Sequence, residues 1–202
     1  MSKNDARTER RQRILNAALS CFLENGYNQS GIRDIAKKAG ISLGNLYNHF
    51  AGKKAVLAEI ASFEAIELRA FHDLLKKEGN PKDKLTDFIH KYTDYCGQTD
   101  TVILTVEILA ESIRSPDIAS LFLENRDDLI KTLSELLEAG HTTGDFQPVE
   151  NRLVASELIL EAIENHTVRN FLKKKSSAED LDSLITFIQR SIFQGHQGLA
   201  GG

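Results

Sequence analysis

Between Ser30 and Leu57 the chain reads SGIRDIAKKAGISLGNLYNHFAGKKAVL, and the side chains offered there bind rather than react. Asn45, Tyr47, Asn48 and His49 crowd into little more than one helical turn, flanked by Arg33 on one side and Lys53 on the other. Cationic groups neutralise phosphates and release counterions, and short polar side chains reach the hydrogen-bonding edges of bases. Leu43 and Gly44 add an apolar contact suited to a thymine methyl and a point of close backbone approach. Elsewhere the chemistry is sparse. His90, His141 and His166 have no metal-ligand spacing, and Cys21 and Cys96 lie far apart with neither a zinc nor a disulfide pattern. No metal and no cofactor is expected.

Positioning such a cluster needs two short helices. Ile32, Ile35, Ala36 and Ala39 recur at helical spacing with Arg33, Lys37 and Lys38 on the other face, after Ser30 or Gly31 as cap. Gly40 is placed to end that helix in a left-handed conformation. Ser42 caps a second helix, whose Leu46 and Phe50 sit four apart and face a core. Two helices about a short glycine turn form the helix-turn-helix unit, whose second helix enters the major groove by its N-terminal end.

The segment AGISLGNLYNHFAGKKAVL resembles the recognition signature of the TetR/AcrR family of bacterial one-component transcriptional regulators. Upstream, RILNAALSCFLENGYNQSGIRDIA is similar to that family's first two helices, with Gly26 and Tyr27 closing helix one. Carried over by position, the resemblance implies phosphate contacts at Asn45, Tyr47, His49 and Lys53. With Ser42, Leu43 and Gly44 opening the reading helix, and Asn48 and Arg33 reaching base edges, these form the expected DNA-binding set. Two positions depart from the family's habit: Asn45 replaces the usual Thr, and Leu43 a basic or small residue. Direct base hydrogen bonds are therefore expected to be few, with shape and water sharing the specificity.

The net charge of -4 conceals an asymmetry: residues 1–54 carry +6, and the remainder carries -10. A basic end on an acidic molecule offers a polyanion one surface only. Met1 to Arg13 is too charged to be a signal peptide, and the longest apolar run, Val102 to Ala110, is interrupted by Glu107, so a bacterial cytoplasmic protein without membrane contact is expected. Strand signals are absent. Boundary residues predict an all-α chain of about nine helices: Thr8–Asn25, the two short helices of a motif at about 30–50, then one from Gly52 to Glu78 stopped by Gly79 and Pro81. Others follow from Pro81 to Cys96, after Asp100, from Pro116 to Ala139 with Gly140 as stop, from Pro148 to Lys173, and from Ala178 to Gln194. The long fourth helix should join a three-helix head at 8–67 to a body at 68–202, with a frayed tail at 195–202.

The last two helices are apolar around more of their girth than a peripheral pair needs, Leu153, Val154, Leu158, Ile159, Leu160, Ile163 and Val168 among them. This favours a four-helix seam between two copies, which the resemblance also implies, and a homodimer should read a palindromic operator. The resemblance further implies an effector-binding and dimerisation body in which a small molecule shifts the dimer between states of different DNA affinity. Expected lining residues are Phe63, Ile66, Phe88, Tyr92, Tyr95, Ile103, Val106, Glu107, Phe122 and His166. Glu107 stands inside an apolar stretch and needs a partner, for which Arg114, His166 or a cationic effector are the options. The competing readings are an all-helical interaction adaptor and an enzyme, each retaining the head only structurally. The enzyme reading finds neither a nucleophile elbow nor a phosphate loop.

Overall fold

A computed structural model describes residues 3–174 and 178–193. The expected frayed tail at 195–202 lies outside the described residues. The fold is all-α, its helices being α1 (Lys3–Asn25), α2 (Ile32–Lys38), α3 (Leu43–Tyr47), α4 (Lys53–Lys76), α5 (Pro81–Cys96), α6 (Thr99–Ser112), α7 (Pro116–Thr142), α8 (Arg152–Lys173) and α9 (Ala178–Ile192). Helix α1 starts well before the expected Thr8, since no glycine or proline interrupts the chain from Lys3 onward.

Two boundaries differ from expectation for identifiable reasons. Helix α8 opens at Arg152 and not at Pro148, because the Asn151 side chain accepts from the N–H groups of Leu153 and Val154. Ahead of Pro148 the chain is held by an isolated antiparallel bridge between Phe146 and Phe193 and by the Gln147 N–H, which donates to Ile192 O at 2.9 Å. Helix α7 runs through Gly140 to Thr142. A Cβ on Gly140 would lie 2.1 Å from the ring of Phe146, so this glycine is a notch for a buried aromatic side chain, not a stop.

The chain forms two compact units: Met1–Glu67 with Ile103–Asn125, and Leu68–Val102 with Arg126–Gly202. In the first, Ile14, Leu15, Ala17, Ala18, Cys21 and Phe22 of α1 meet Ile35 and Ala36 of α2, Leu46 of α3 and Val56, Leu57 and Ile60 of α4. Ile118 of α7 completes that core, with Leu104 and Ile108 of α6 packed against it. Each large aliphatic or aromatic group so buried contributes roughly 1.5–3 kcal/mol, so α3 is held by Leu46 and Phe50 more than by its own five-residue length.

In the second unit, one face of α5 buries Leu85, Phe88, Ile89 and Tyr92. Phe71, Phe88, Tyr92 and Tyr95 stack or meet edge to face with centroids 5.2 to 6.2 Å apart. Leu129, Leu133 and Leu137 of α7, Leu160 and Ile163 of α8, and Ile185 and Ile188 of α9 join that core.

Candidate nucleic-acid interface

The two short helices are joined as their sequence requires. Gly40 has φ 65°, and the Ile41 N–H returns to Ala36 O at 3.1 Å, closing α2. The Gly31 N–H donates to the Asp34 carboxylate at 2.9 Å, and Ser30 Oγ lies 2.8 Å from the carbonyls of Cys21 and Gly26. Ser42 Oγ accepts from the Asn45 N–H at 3.2 Å, so this exposed residue is the cap of α3. Gly40-Ile41-Ser42-Leu43-Gly44 also spells the string of a nucleophile elbow. Here a helix precedes the serine where that device has a strand, and the hydroxyl is engaged as a cap.

The side chains predicted to meet DNA divide by environment. Arg33 and Asn48 are exposed, Tyr47 is 50% exposed, and the space beside Gly44 is open. Leu43 instead packs against the core of the first unit, leaving only part of its surface for a base. Asn45, Asn48 and His49 line a surface depression of about 490 Å³ with Arg7 and Arg10. His49 is partly buried and its Nδ1 has no hydrogen-bond partner among the described residues. Burial lowers the pKa of this imidazole, and the positive charges of Arg7, Arg10 and Arg11 lower it further. Arg11 is held elsewhere: its fork bonds Glu59 at 2.9 and 2.5 Å, it donates to His49 O at 3.0 Å, and it lies 4.3 Å from the Phe50 centroid. That hydrogen bond lowers the pKa of Glu59.

Lys53 occupies a joint. Its Nζ donates to Tyr27 O at 2.7 Å, reaches Asn28 O at 3.4 Å and sits 4.1 Å from the Tyr27 ring centroid. Burial lowers its pKa, opposed by the charge of Glu111. The other side of the same residue is also held, because the Tyr27 N–H donates to Glu107 Oε2 at 2.8 Å. Against the expectation of Arg114, His166 or a cationic effector, this partner of Glu107 is a backbone group. The signal was present in the Gly26–Tyr27 pair, since the chain leaving a helix at φ 78° presents a buried N–H that needs an acceptor. A Cβ at Gly26 would stand 2.9 Å from that carboxylate oxygen, so glycine is required there by space as well as by φ.

The expected effector-lining residues fall in both units. Phe63, Ile66, Ile103, Val106, Glu107 and Phe122 belong to the first, where Phe63, Ile66 and Val106 are exposed and Phe122 packs against the core. Phe88, Tyr92, Tyr95 and His166 belong to the second. The Tyr92 hydroxyl donates to Glu164 at 2.9 Å, and Arg126 lies 3.4 Å from that carboxylate and 3.7 Å from Glu157. Burial raises the pKa of Glu164 against the opposing pull of Arg126 and the Tyr92 hydroxyl. His166, bonded to Asn170 at 2.8 Å, lines a depression of about 570 Å³ with Asp94, Thr167, Phe171 and Lys174. The Tyr92–Glu164–Arg126 network was not read from sequence, as its members are spread over three helices.

Residues 14–60 match the family model described as bacterial regulatory proteins, tetR family. The chain is 29% identical over 160 residues to the HTH-type transcriptional regulator UidR of Escherichia coli K12, covering 75% of this chain and 76% of that one. It is 26% identical over 140 residues to the HTH-type transcriptional repressor KstR2 of Mycobacterium tuberculosis, with 69% and 70% covered. The transcriptional regulator FadR of Bacillus subtilis, solved in complex with stearoyl-CoA, superposes with a TM-score of 0.76 at 21% identity, over 89% of this chain and 98% of that one. Motif, fold and relatives agree: the chain belongs to the TetR family of bacterial regulatory proteins and is a helix-turn-helix DNA-binding transcriptional regulator.

Proposed function

We propose that the protein is a homodimeric repressor that leaves a palindromic operator when a small molecule binds its body, acting in the bacterial cytoplasm. The observation that carries this reading is the exposed face of α3, where Tyr47, Asn48 and the Gly44 backbone stand clear of the core that Leu46 anchors. Residues 8–67 are read as the DNA-binding domain and 68–202 as the effector-binding and dimerisation domain. Tyr47, Asn45 and His49 contact phosphates, while Arg33, Asn48, Gly44 and the exposed edge of Leu43 face the bases.

Repression is supported by KstR2, named a repressor, and a ligand-responsive body by FadR, solved with a bound acyl-CoA. Dimerisation is supported by apolar side chains left open on the last two helices: Leu158 is 58% exposed, Leu172 71% and Phe187 67%. The Lys53 ammonium serves first as a clasp on the Tyr27 carbonyl, and its charge adds to the phosphate-facing field. The test is duplex binding, by anisotropy, of DNA from upstream of the protein's own coding region. Tyr47→Ala is expected to lose tight binding while keeping the wild-type melting profile, and Lys53→Ala to lose both binding and stability. Wild-type affinity and salt slope in both variants would overturn the assignment.

A further inference from the structure

The depression between the start of α1 and the end of α3 has no role in the interface just described beyond His49 and the α3 amides. We infer that it is a seat for one DNA backbone phosphate, completed by Arg7 and Arg10, and that filling it loads a proton onto His49. This rests on the reading of the first unit as the DNA-binding head, and it adds both a contact and a pH response to that reading.

Three observations converge on the seat. Helix α1 extends to Lys3, which brings Arg7 and Arg10 beside Asn45, Asn48 and His49 around one concavity. Two guanidinium groups and the Asn45 primary amide match the donors a phosphate oxygen takes, while Asn48 at the same depression is left to the bases. His49 Nδ1 is buried without a hydrogen-bond partner among the described residues, which is costly for a polar atom unless a ligand completes it. Arg11 is not part of the seat, because Glu59 and the His49 carbonyl occupy its donors.

The charged groups around His49 set the direction of the response. Arg7, Arg10 and Arg11 face it from α1, and Glu59 of α4, the acid paired with these arginines among the described residues, is committed to Arg11. In the unbound head burial, and then this positive field, hold the imidazole pKa below its ordinary value. A phosphate on Arg7 and Arg10 cancels the repulsion and adds an anion beside the ring, so the imidazole pKa rises on binding. A proton is then taken up from the buffer. By linkage, affinity increases as the pH falls through the bound-state pKa and levels off below the free-state value.

The experiment measures binding of the full chain to a labelled duplex of random sequence at low salt, since a phosphate seat is indifferent to sequence. Between about pH 8 and about pH 6 the wild type should tighten, by up to about tenfold per protomer for each unit by which the His49 pKa rises. His49→Gln should bind more weakly, as loss of a phosphate contact requires, and with that pH dependence removed. Arg7→Gln/Arg10→Gln should lower the slope of log K against log salt by about 0.9 for each protomer seated. NMR titration of the imidazole, assigned through His49→Gln, should show its pKa higher with duplex than without. A flat pH profile in the wild type, an unchanged profile in His49→Gln, or an unchanged salt slope in the double variant would each overturn the seat while leaving the DNA-binding reading standing. Absence of any duplex binding by the wild type would overturn that reading itself.

Discussion

Replacing Glu107 by alanine removes the acceptor for one backbone N–H, that of Tyr27, a residue only 7% exposed. The residue is held in place on its ring as well, since Phe22 packs edge to face against it and the Lys53 ammonium lies 4.1 Å from its centroid. A buried donor left unpaired costs about 1–3 kcal/mol. Since about 1.4 kcal/mol is a factor of ten, the Tyr27 amide should exchange its hydrogen about 5- to 150-fold faster in Glu107→Ala. The neighbouring turn should follow, because the Tyr27 carbonyl is the anchor of Lys53 and Ser30 Oγ rests on Gly26 O. Amide exchange followed by mass spectrometry on peptides spanning Gly26 to Gly31 reads this directly, alongside α1 peptides from Ile14 to Phe22 as an internal control. Glu107→Gln keeps an oxygen acceptor and should restore most of the protection. Unchanged exchange in the alanine variant would refute the assignment of this hydrogen bond, and a glutamine variant as labile as alanine would refute the view that an acceptor is what matters.

Two further outcomes are expected. Thr132 Oγ1 donates to Asp128 O, so at 2.7 Å it accepts from His72 Nδ1–H; burial, and then the charge of Lys76, lower the pKa of that ring below its unfolded value. The neutral ring is therefore the folded form, and its contribution to stability is present above the unfolded pKa of about 6.5 and is lost as the pH falls below it. Urea unfolding between about pH 7.5 and pH 5 should show this decline, and His72→Gln should lessen it; an identical pH profile would show that His72 is not responsible. On α8, Leu158→Asp places a charge on the exposed apolar face and should yield monomers by light scattering with weakened operator binding. A dimer of undiminished mass would move the interface elsewhere.

Much of the recognition unit was legible because its signals are local. Ser42 caps α3 and Gly40 closes α2 through groups a few residues away, and the Phe50 N–H bonds Leu46 O across the four-residue spacing at which both side chains are buried. Boundaries failed where distant residues compete with local ones. Gly140 reads as a helix stop, yet the fold uses its missing Cβ to admit Phe146; Pro148 reads as a helix start, yet the pairing of Phe146 with Phe193 keeps the preceding chain out of a helix. Leu43 reads as a base contact, and the fold adds a second duty, since a helix of five residues also packs part of this side chain against the core.

By itself, then, the order of residues determined the all-α class, the helix-turn-helix and the basic end, because propensity, capping and charge act over a few positions and need no knowledge of the rest of the chain. Only the tertiary structure decided that Lys53 and Glu107 grip the same residue, Tyr27, from α4 and α6, that residues 103–125 belong with the head, and that Arg7 and Arg10 stand beside His49. Those pairings join positions as many as 80 residues apart. They exist because a buried N–H and an ammonium must find partners wherever the packed core brings them, and because the length of α1 carries Arg7 and Arg10 to the depression that His49 lines.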